Sequence, residues 1–239
     1  MTGRSRARDR SRPSGDAPLW TPARLSPLAW WRADSGVTLA GSKVAAWSSS
    51  GSLGVTLTQS TDAIRPIYTA SGARGGRPCV EATSAGQVLT ATSVTLPREI
   101  GIWVVTGTVT TYGILLSHYD GGARRHYVYT TGSAAYYVAN SAGTFFARTA
   151  VPWTPAASSL LGVYDGSSIV AYDENIDAGG SLLGDTFGAE NITGTLYAFS
   201  GNAELASVAQ VYEMAIFPAS AMTATNRAAL QAYVTARYA

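Results

Sequence analysis

From residue 26 to residue 222 the chain is a succession of strand-sized apolar segments cut by turn residues, with no 3.6-residue period between them. Gly101-Ile102-Trp103-Val104-Val105-Thr106-Gly107-Thr108-Val109 is an unbroken β-branched and aromatic run, fit for a central strand. Gly113-Ile114-Leu115-Leu116-Ser117-His118 is another. It turns through Asp120-Gly121-Gly122 into Arg125-His126-Tyr127-Val128-Tyr129, because Asp-Gly and Gly-Gly adopt positive φ easily. A hairpin over Asn140-Ser141-Ala142-Gly143 joins residues 134–139 to 144–148, and a turn at Asp165-Gly166-Ser167 joins 159–164 to 169–172. Strands at this spacing predict an all-β, two-sheet antiparallel sandwich. Helical periodicity comes only at the end: Thr223 can cap a helix in which Leu230, Tyr233, Val234 and Arg237 share one face.

With 46% apolar residues among 239, the chain can bury a core as one large domain. Its single cysteine, Cys79, excludes an internal disulfide framework and reads as a buried small apolar residue. No run approaches the ~20 apolar residues of a membrane helix. The Arg-rich start runs into Pro13-Ser14-Gly15-Asp16 without an apolar segment, so no export signal is read.

Particular residues extend the fold reading. Trp30-Trp31-Arg32-Ala33-Asp34, Trp47-Ser48-Ser49-Ser50-Gly51, Arg65-Pro66-Ile67-Tyr68 and Gly76-Arg77-Pro78-Cys79-Val80 follow one another in that order. Tyr212-Glu213-Met214-Ala215-Ile216-Phe217 and a terminal helix close the chain. This series resembles the concanavalin A-like (laminin G-like) jelly-roll domains of phage virion and bacterial surface proteins, over roughly residues 26–239. Those domains often show W-x-A-D, W-x-D-x-S-G, R-P-x-Y and G-x-P-x-V segments. The hairpin at residues 164–177 is similar to their Y-D-G-x-x-x-x-Y-x-N-G pair. The carboxylate of the second segment is missing here, which puts a cation-assisted version of that turn in doubt. The resemblance implies a jelly-roll sandwich and a choice of lectin, glycosidase or structural roles.

Enzyme chemistry finds little footing. Glycosidases of this family carry E-x-D-x-x-E on one strand, so that alternate carboxylates face one cleft. No such string occurs: Glu81 lacks a second acid, and Asp173 and Asp177 straddle a turn. His118 and His126 lie on adjacent arms of one hairpin, outside any nucleophile motif. Two His and one Cys do not make a zinc set, and no phosphate loop is present. Asp165, Asp173 and Asp177 are candidate calcium ligands, with local turn hydrogen bonding as the competing explanation. No cofactor is expected. A glycan site has more support, since sugars are held by aromatic faces and a few polar groups. The candidates are Tyr119, Asp120, Arg124 and Tyr127, around the Asp120 turn. On any one strand half of the aromatics must face the core.

Residues 1–25 read as a separate arm, with residues 26–239 as the jelly-roll domain. Residues 1–24 carry six arginines against Asp9 and Asp16, a net +4, while the rest of the chain holds 11 basic and 13 acidic residues, a net −2. Arg4, Arg6, Arg8, Arg10 and Arg12, with Pro13, Pro18 and Pro22 nearby, suit docking on an acidic partner rather than sequence-specific nucleic-acid reading. Three readings stand in order. The first is a non-enzymatic virion structural protein, decorating a head or tail, anchored to other virion proteins by the arm within an oligomer or larger assembly, with cell-surface glycans as its ligand class. The second is a carbohydrate-binding module or adhesin at a bacterial surface. The third is a glycoside hydrolase. None of them involves a membrane.

Overall fold

Nearly every apolar segment of the chain becomes a strand. The computed structural model describes residues 20–238 except 122–124, 132–133, 142–143, 153–157, 174–176, 183–190 and 201–205. Among the described residues the strands begin with β1 (Ala29–Arg32), β2 (Val37–Ala40), β3 (Lys43–Ser48), β4 (Thr56–Thr58), β5 (Ile67–Thr69) and β6 (Cys79–Ala82). They continue with β7 (Leu89–Leu96), β8 (Ile100–Thr111), β9 (Ile114–Tyr119), β10 (Arg125–Thr130), β11 (Ala134–Ser141) and β12 (Thr144–Pro152). The last are β13 (Ser158–Tyr164), β14 (Ile169–Tyr172), β15 (Asp177–Leu182), β16 (Ile192–Ala198) and β17 (Val208–Pro218), before one α-helix, α1 (Ala224–Tyr238). This is the all-β antiparallel sandwich with a C-terminal helix that the sequence predicts.

One sheet runs β15–β14–β13–β8–β17. The far edge of β17 is shared, by β6 opposite Ala209–Val211 and by β1 opposite Glu213–Ile216. The other sheet runs β12–β11–β10–β9–β16–β7–β4. The two are stitched at both rims. β12 meets β15 at Ala147↔Leu182 and Arg148↔Ser181, while β4 passes through β3 and β5 to β6. The ladder therefore closes on itself as a flattened ring, which leaves few raw sheet edges.

Between the sheets lies one core. Trp31, Trp47, Leu57, Leu89, Ile102, Leu116, Leu196 and Ile216 are all fully buried in it. Tyr137 reaches across from the second sheet to Gly162 on β13, where a Cβ atom would lie 2.1 Å from the ring. Glycine there is a matter of space: the tyrosine ring occupies the place of the missing side chain.

The first sheet is covered on its outer face as well. Leu230, Val234 and Tyr238 of α1 pack over Trp103, Ala215 and Phe217. This explains why β8 reads as a continuous apolar run through Val105: both faces of that stretch are buried. Thr223 caps α1 as the sequence suggests, its hydroxyl accepting from the Asn226 amide at 3.3 Å. Trp20 packs edge-on to Tyr233, 6.1 Å between ring centres, and Pro22 and Leu25 are buried in a short 3-10 turn. Residues 20–25, the last of the expected arm, bring Trp20 and Leu25 into the apolar cluster that holds α1. Arg4, Arg6, Arg8, Arg10 and Arg12 lie outside the described residues.

A buried carboxylate ties helix to sheet. Glu213 on β17 is 0% exposed. It accepts from Trp30 Nε1 (2.8 Å), Tyr233 OH (2.8 Å) and Tyr238 OH (2.6 Å), and pairs with Arg237 Nε at 2.7 Å. Arg237 also reaches Asp34. Burial alone would lower the Arg237 pKa, but Glu213 beside it holds it above the usual range. Burial followed by the Glu213 charge pushes both tyrosine hydroxyls upward, so they stay protonated donors. Trp30 and Asp34 of the Trp-Trp-Arg-Ala-Asp segment thus anchor α1, while Trp31 fills the core.

Candidate functional site

Among the described residues, the outer face of the second sheet gathers aromatic and hydroxyl groups with no helix over it. Register shows how. Tyr197 on β16 lies opposite Ser117 on β9, and Ser117 lies opposite Tyr127 on β10. One row along, Thr195 faces Tyr119. One row the other way, Tyr129 lies opposite Tyr136 on β11. Their alternating neighbours Leu196, His118, His126, Val128 and Tyr137 point inward and are buried. A period of two therefore sends five tyrosines from four strands to one face. Tyr129 and Tyr136 stack at 4.7 Å with ring planes 12° apart, and Tyr127 lies 5.7 Å from Tyr129.

The predicted site residues divide. Tyr119 and Asp120 are half-buried at the end of β9, where Gly121 takes φ 83° and starts the turn. Arg124 lies outside the described residues. Tyr127 is 6% exposed and packs with Ile114 and Val138. The chain on either side of residues 201–205 bonds to β9 nearby. Ser117 Oγ donates to the Ser200 carbonyl (2.9 Å), and Ser207 Oγ donates to that of Ile114 (3.0 Å). Tyr127 therefore supports the face, and Tyr119, Tyr129, Tyr136 and Tyr197 present it. Tyr197 was not read from the sequence. Its signal is the alternation Thr193, Thr195, Tyr197 around buried Leu196, but no sequence pattern places β16 beside β9.

The remaining candidate residues lie apart from the tyrosine face, and His118 Nδ1 and His126 Nε2 are buried without a hydrogen-bond partner among the described residues. His118 and His126 pair across β9 and β10, inside the core. His118 Nε2 donates to the Val94 carbonyl at 2.9 Å, and His126 Nδ1 meets Tyr137 OH at 3.0 Å. Burial lowers both imidazole pKa values, that of His126 to about 3 with the neighbouring His118 adding to the effect. Both are neutral core residues at physiological pH. Burial would raise the Asp165 pKa, but the amides and hydroxyls of Ser167 and Ser168 bring it down to about 2. That is a carboxylate used up by its own turn. Asp173 is half-buried, and the side chain of Asp177 lies outside the description. Among the described residues no three His, Cys, Asp or Glu side chains form a metal-sized group. Glu81 accepts from Thr69 Oγ1 (3.1 Å) and Gln210 Nε2 (3.4 Å) on the first sheet, away from the tyrosine face. Cys79 is buried, and burial, with Glu81 nearby, pushes its thiol up to about 12.

No family model and no curated protein matches the chain. Solved structures do. The chain superposes on the botulinum neurotoxin serotype G binding domain with a TM-score of 0.61 at 11% identity, covering 88% of this chain and 51% of that one. A GH54 α-L-arabinofuranosidase gives a TM-score of 0.60 at 13% identity, covering 82% of this chain and 51% of that one. These likenesses establish the fold. The sialidase of Trypanosoma rangeli gives 0.51 at 11% identity, over 86% of this chain and 32% of that one. This chain spans about half the length of the first two, 51% of each.

Proposed function

We propose that this chain is a non-catalytic carbohydrate-binding module whose ligand lies across the tyrosine face of the second sheet. The observation that carries the reading is the convergence of Tyr119, Tyr129, Tyr136 and Tyr197 on one half-buried face, next to Ser and Thr hydroxyls. Tyrosine offers an apolar ring to the flat side of a sugar and a hydroxyl to its edge. Fold neighbours named for sugar-processing enzymes support the reading. The non-catalytic part rests on charge placement. Hydrolysis needs two carboxylates about 5–9.5 Å apart across the bond; among the described residues Asp120 stands beside the face at the end of β9, while Glu81 and Glu213 belong to the first sheet. The test is a glycan array with the wild type and a Tyr129→Ala/Tyr197→Ala variant, alongside a reducing-sugar assay. Binding lost in the variant without sugar release is expected. Release of sugar by the wild type, or no glycan bound at all, would count against it.

A second proposal concerns where the module is displayed. The resemblance to virion jelly rolls, and the +4 charge of residues 1–24 against −2 for the rest, support attachment of the module to a larger particle through its first residues. Arginine favours this, because its planar fork pairs with carboxylates in two-point geometry. Copurification of the intact chain with high-mass particles, reversed by raised salt, is the expected result. A free monomer at every salt concentration would remove this proposal and leave the first intact.

A further inference from the structure

β4 and β7 meet at a single pair, Thr58 opposite Thr90. Continuing that register would set Thr56 against Thr92, but the ladder stops. The cause lies in β7. Between its pairs with Gly194 and Leu196 of β16 it advances three residues against two, and Ser93 adopts φ 58°. A bulge of this kind bends a strand and ends its pairing on one side. The His118 ring takes up the carbonyl of Val94 just beyond it. The two strands diverge and leave an open cleft of about 480 Å³.

The lining of this cleft has one chemical character. Thr56, Thr58, Thr90, Thr92, Ser93 and Thr95 line it over a small apolar floor, and no lining residue is ionisable; the hydroxyls of Thr56, Thr58 and Thr95 already bond Ser48 Oγ, the Thr90 carbonyl and Thr193 Oγ1. Each hydroxyl can both donate and accept. A ligand matched to such a lining is neutral and rich in hydroxyls itself. The cleft also adjoins the tyrosine face, because Thr90 on its wall lies opposite Tyr197 across β16. From β7 over β16 and β9 to β10 is three strand spacings, about 14–15 Å. A molecule reaching from the cleft past Tyr197 to Tyr129 on β10 is therefore a chain of several units.

We infer that the β4–β7 cleft is a second saccharide subsite, which holds neutral units of the same glycan chain that crosses the tyrosines. This rests on the carbohydrate-binding reading and narrows it to an internal stretch of an uncharged polysaccharide. The test uses cello-, xylo- and arabino-oligosaccharides, each as dimer and hexamer, titrated calorimetrically into the full chain. Thr56→Val/Thr92→Val removes two hydroxyls of the lining, that of Thr56 also bonded to Ser48 Oγ, while keeping strand-favouring side chains, and its unfolding midpoint checks that it folds. The double variant is expected to bind the hexamer about tenfold more weakly, the loss of two neutral hydrogen bonds, and to bind the dimer as the wild type does. Tyr129→Ala/Tyr197→Ala should lose the dimer as well. Amide shifts at Thr92 and Thr95 on adding hexamer, absent on adding dimer, give a second readout. If the threonine variant matches the wild type at every length while the tyrosine variant loses binding, the cleft is not a subsite and the tyrosine face stands. If the wild type binds none of the six probes, the saccharide reading itself is wrong.

Discussion

At the scale of single residues, one carboxylate decides how the ends of the chain meet. Glu213 is hydrogen-bonded to Trp30, Tyr233 and Tyr238 and ion-paired with Arg237, all at 2.6–2.8 Å. Removing one partner of a buried pair leaves the other charge unmatched, which typically costs about 3–5 kcal/mol. Glu213→Gln should lower stability on that order, read as a fall in urea midpoint with unchanged m; a change below about 1 kcal/mol would show the network to be dispensable. The histidines predict a pH response. Both have folded pKa values below the unfolded 6.5, that of His126 near 3. The unfolded chain therefore binds protons that the folded chain does not as pH falls. Their contribution is complete above pH 6.5 and is lost as pH drops from there toward about 3, with a slope of at most about 1.4 kcal/mol per unit per group. Asp165, lowered to about 2, adds its own loss only below its ordinary 3.8. Urea midpoints that stay flat between pH 7 and pH 5 would contradict burial of the two imidazoles. None of this network is legible in the sequence. Glu213 and Trp30 are 183 residues apart, and nothing local marks a strand glutamate as the partner of a distant helix.

At the scale of elements, the same strand can be read well or badly depending on what covers it. β8 is legible because both its faces are buried through Val105, so its run of Ile, Trp and Val carries no polar interruptions to confuse the reading. Helix α1 is legible from Thr223 and the spacing of Leu230, Tyr233 and Val234. The candidate site was legible only in half. Alternation along β10 puts Tyr127 and Tyr129 on one face, but the burial of Tyr127 against Ile114 and Val138 depends on which strands flank β10, β9 and β11. Likewise the β7 bulge has no Gly or Pro signature: Thr92-Ser93-Val94 reads as plain strand, and only pairing with β16 exposes the extra residue. The helix gives a clean test of its own role. Leu230 is 2% exposed against the first sheet, whereas its neighbour Gln231 faces solvent. Leu230→Ala should cost about 2–5 kcal/mol, and Gln231→Ala should stay within about 0.5 kcal/mol. Equal midpoints for the two variants would mean that α1 is not fastened over Trp103 and Phe217.

At the scale of the whole molecule, the closed ladder makes the body one cooperative unit, since each sheet is hydrogen-bonded to the other at both rims. The boundary between body and arm then becomes a physical question about packing. Trp20 on Tyr233, with Pro22 and Leu25 buried beneath, places residues 20–25 inside the cooperative unit. Residues 1–19 carry Arg4, Arg6, Arg8, Arg10 and Arg12 with Asp9 and Asp16, and no apolar period. Two truncations separate these roles. Deleting residues 1–19 should leave the thermal midpoint of the free body unchanged, while attachment to any acidic particle is lost. Deleting residues 1–25 should also lower that midpoint, because it uncovers the aromatic side chains under α1 and removes buried side chains worth about 1.5–3 kcal/mol each. Differential scanning calorimetry on both forms decides it. If the shorter deletion already destabilises the body, the first nineteen residues are part of the fold, and a detachable basic arm is the wrong description of this chain.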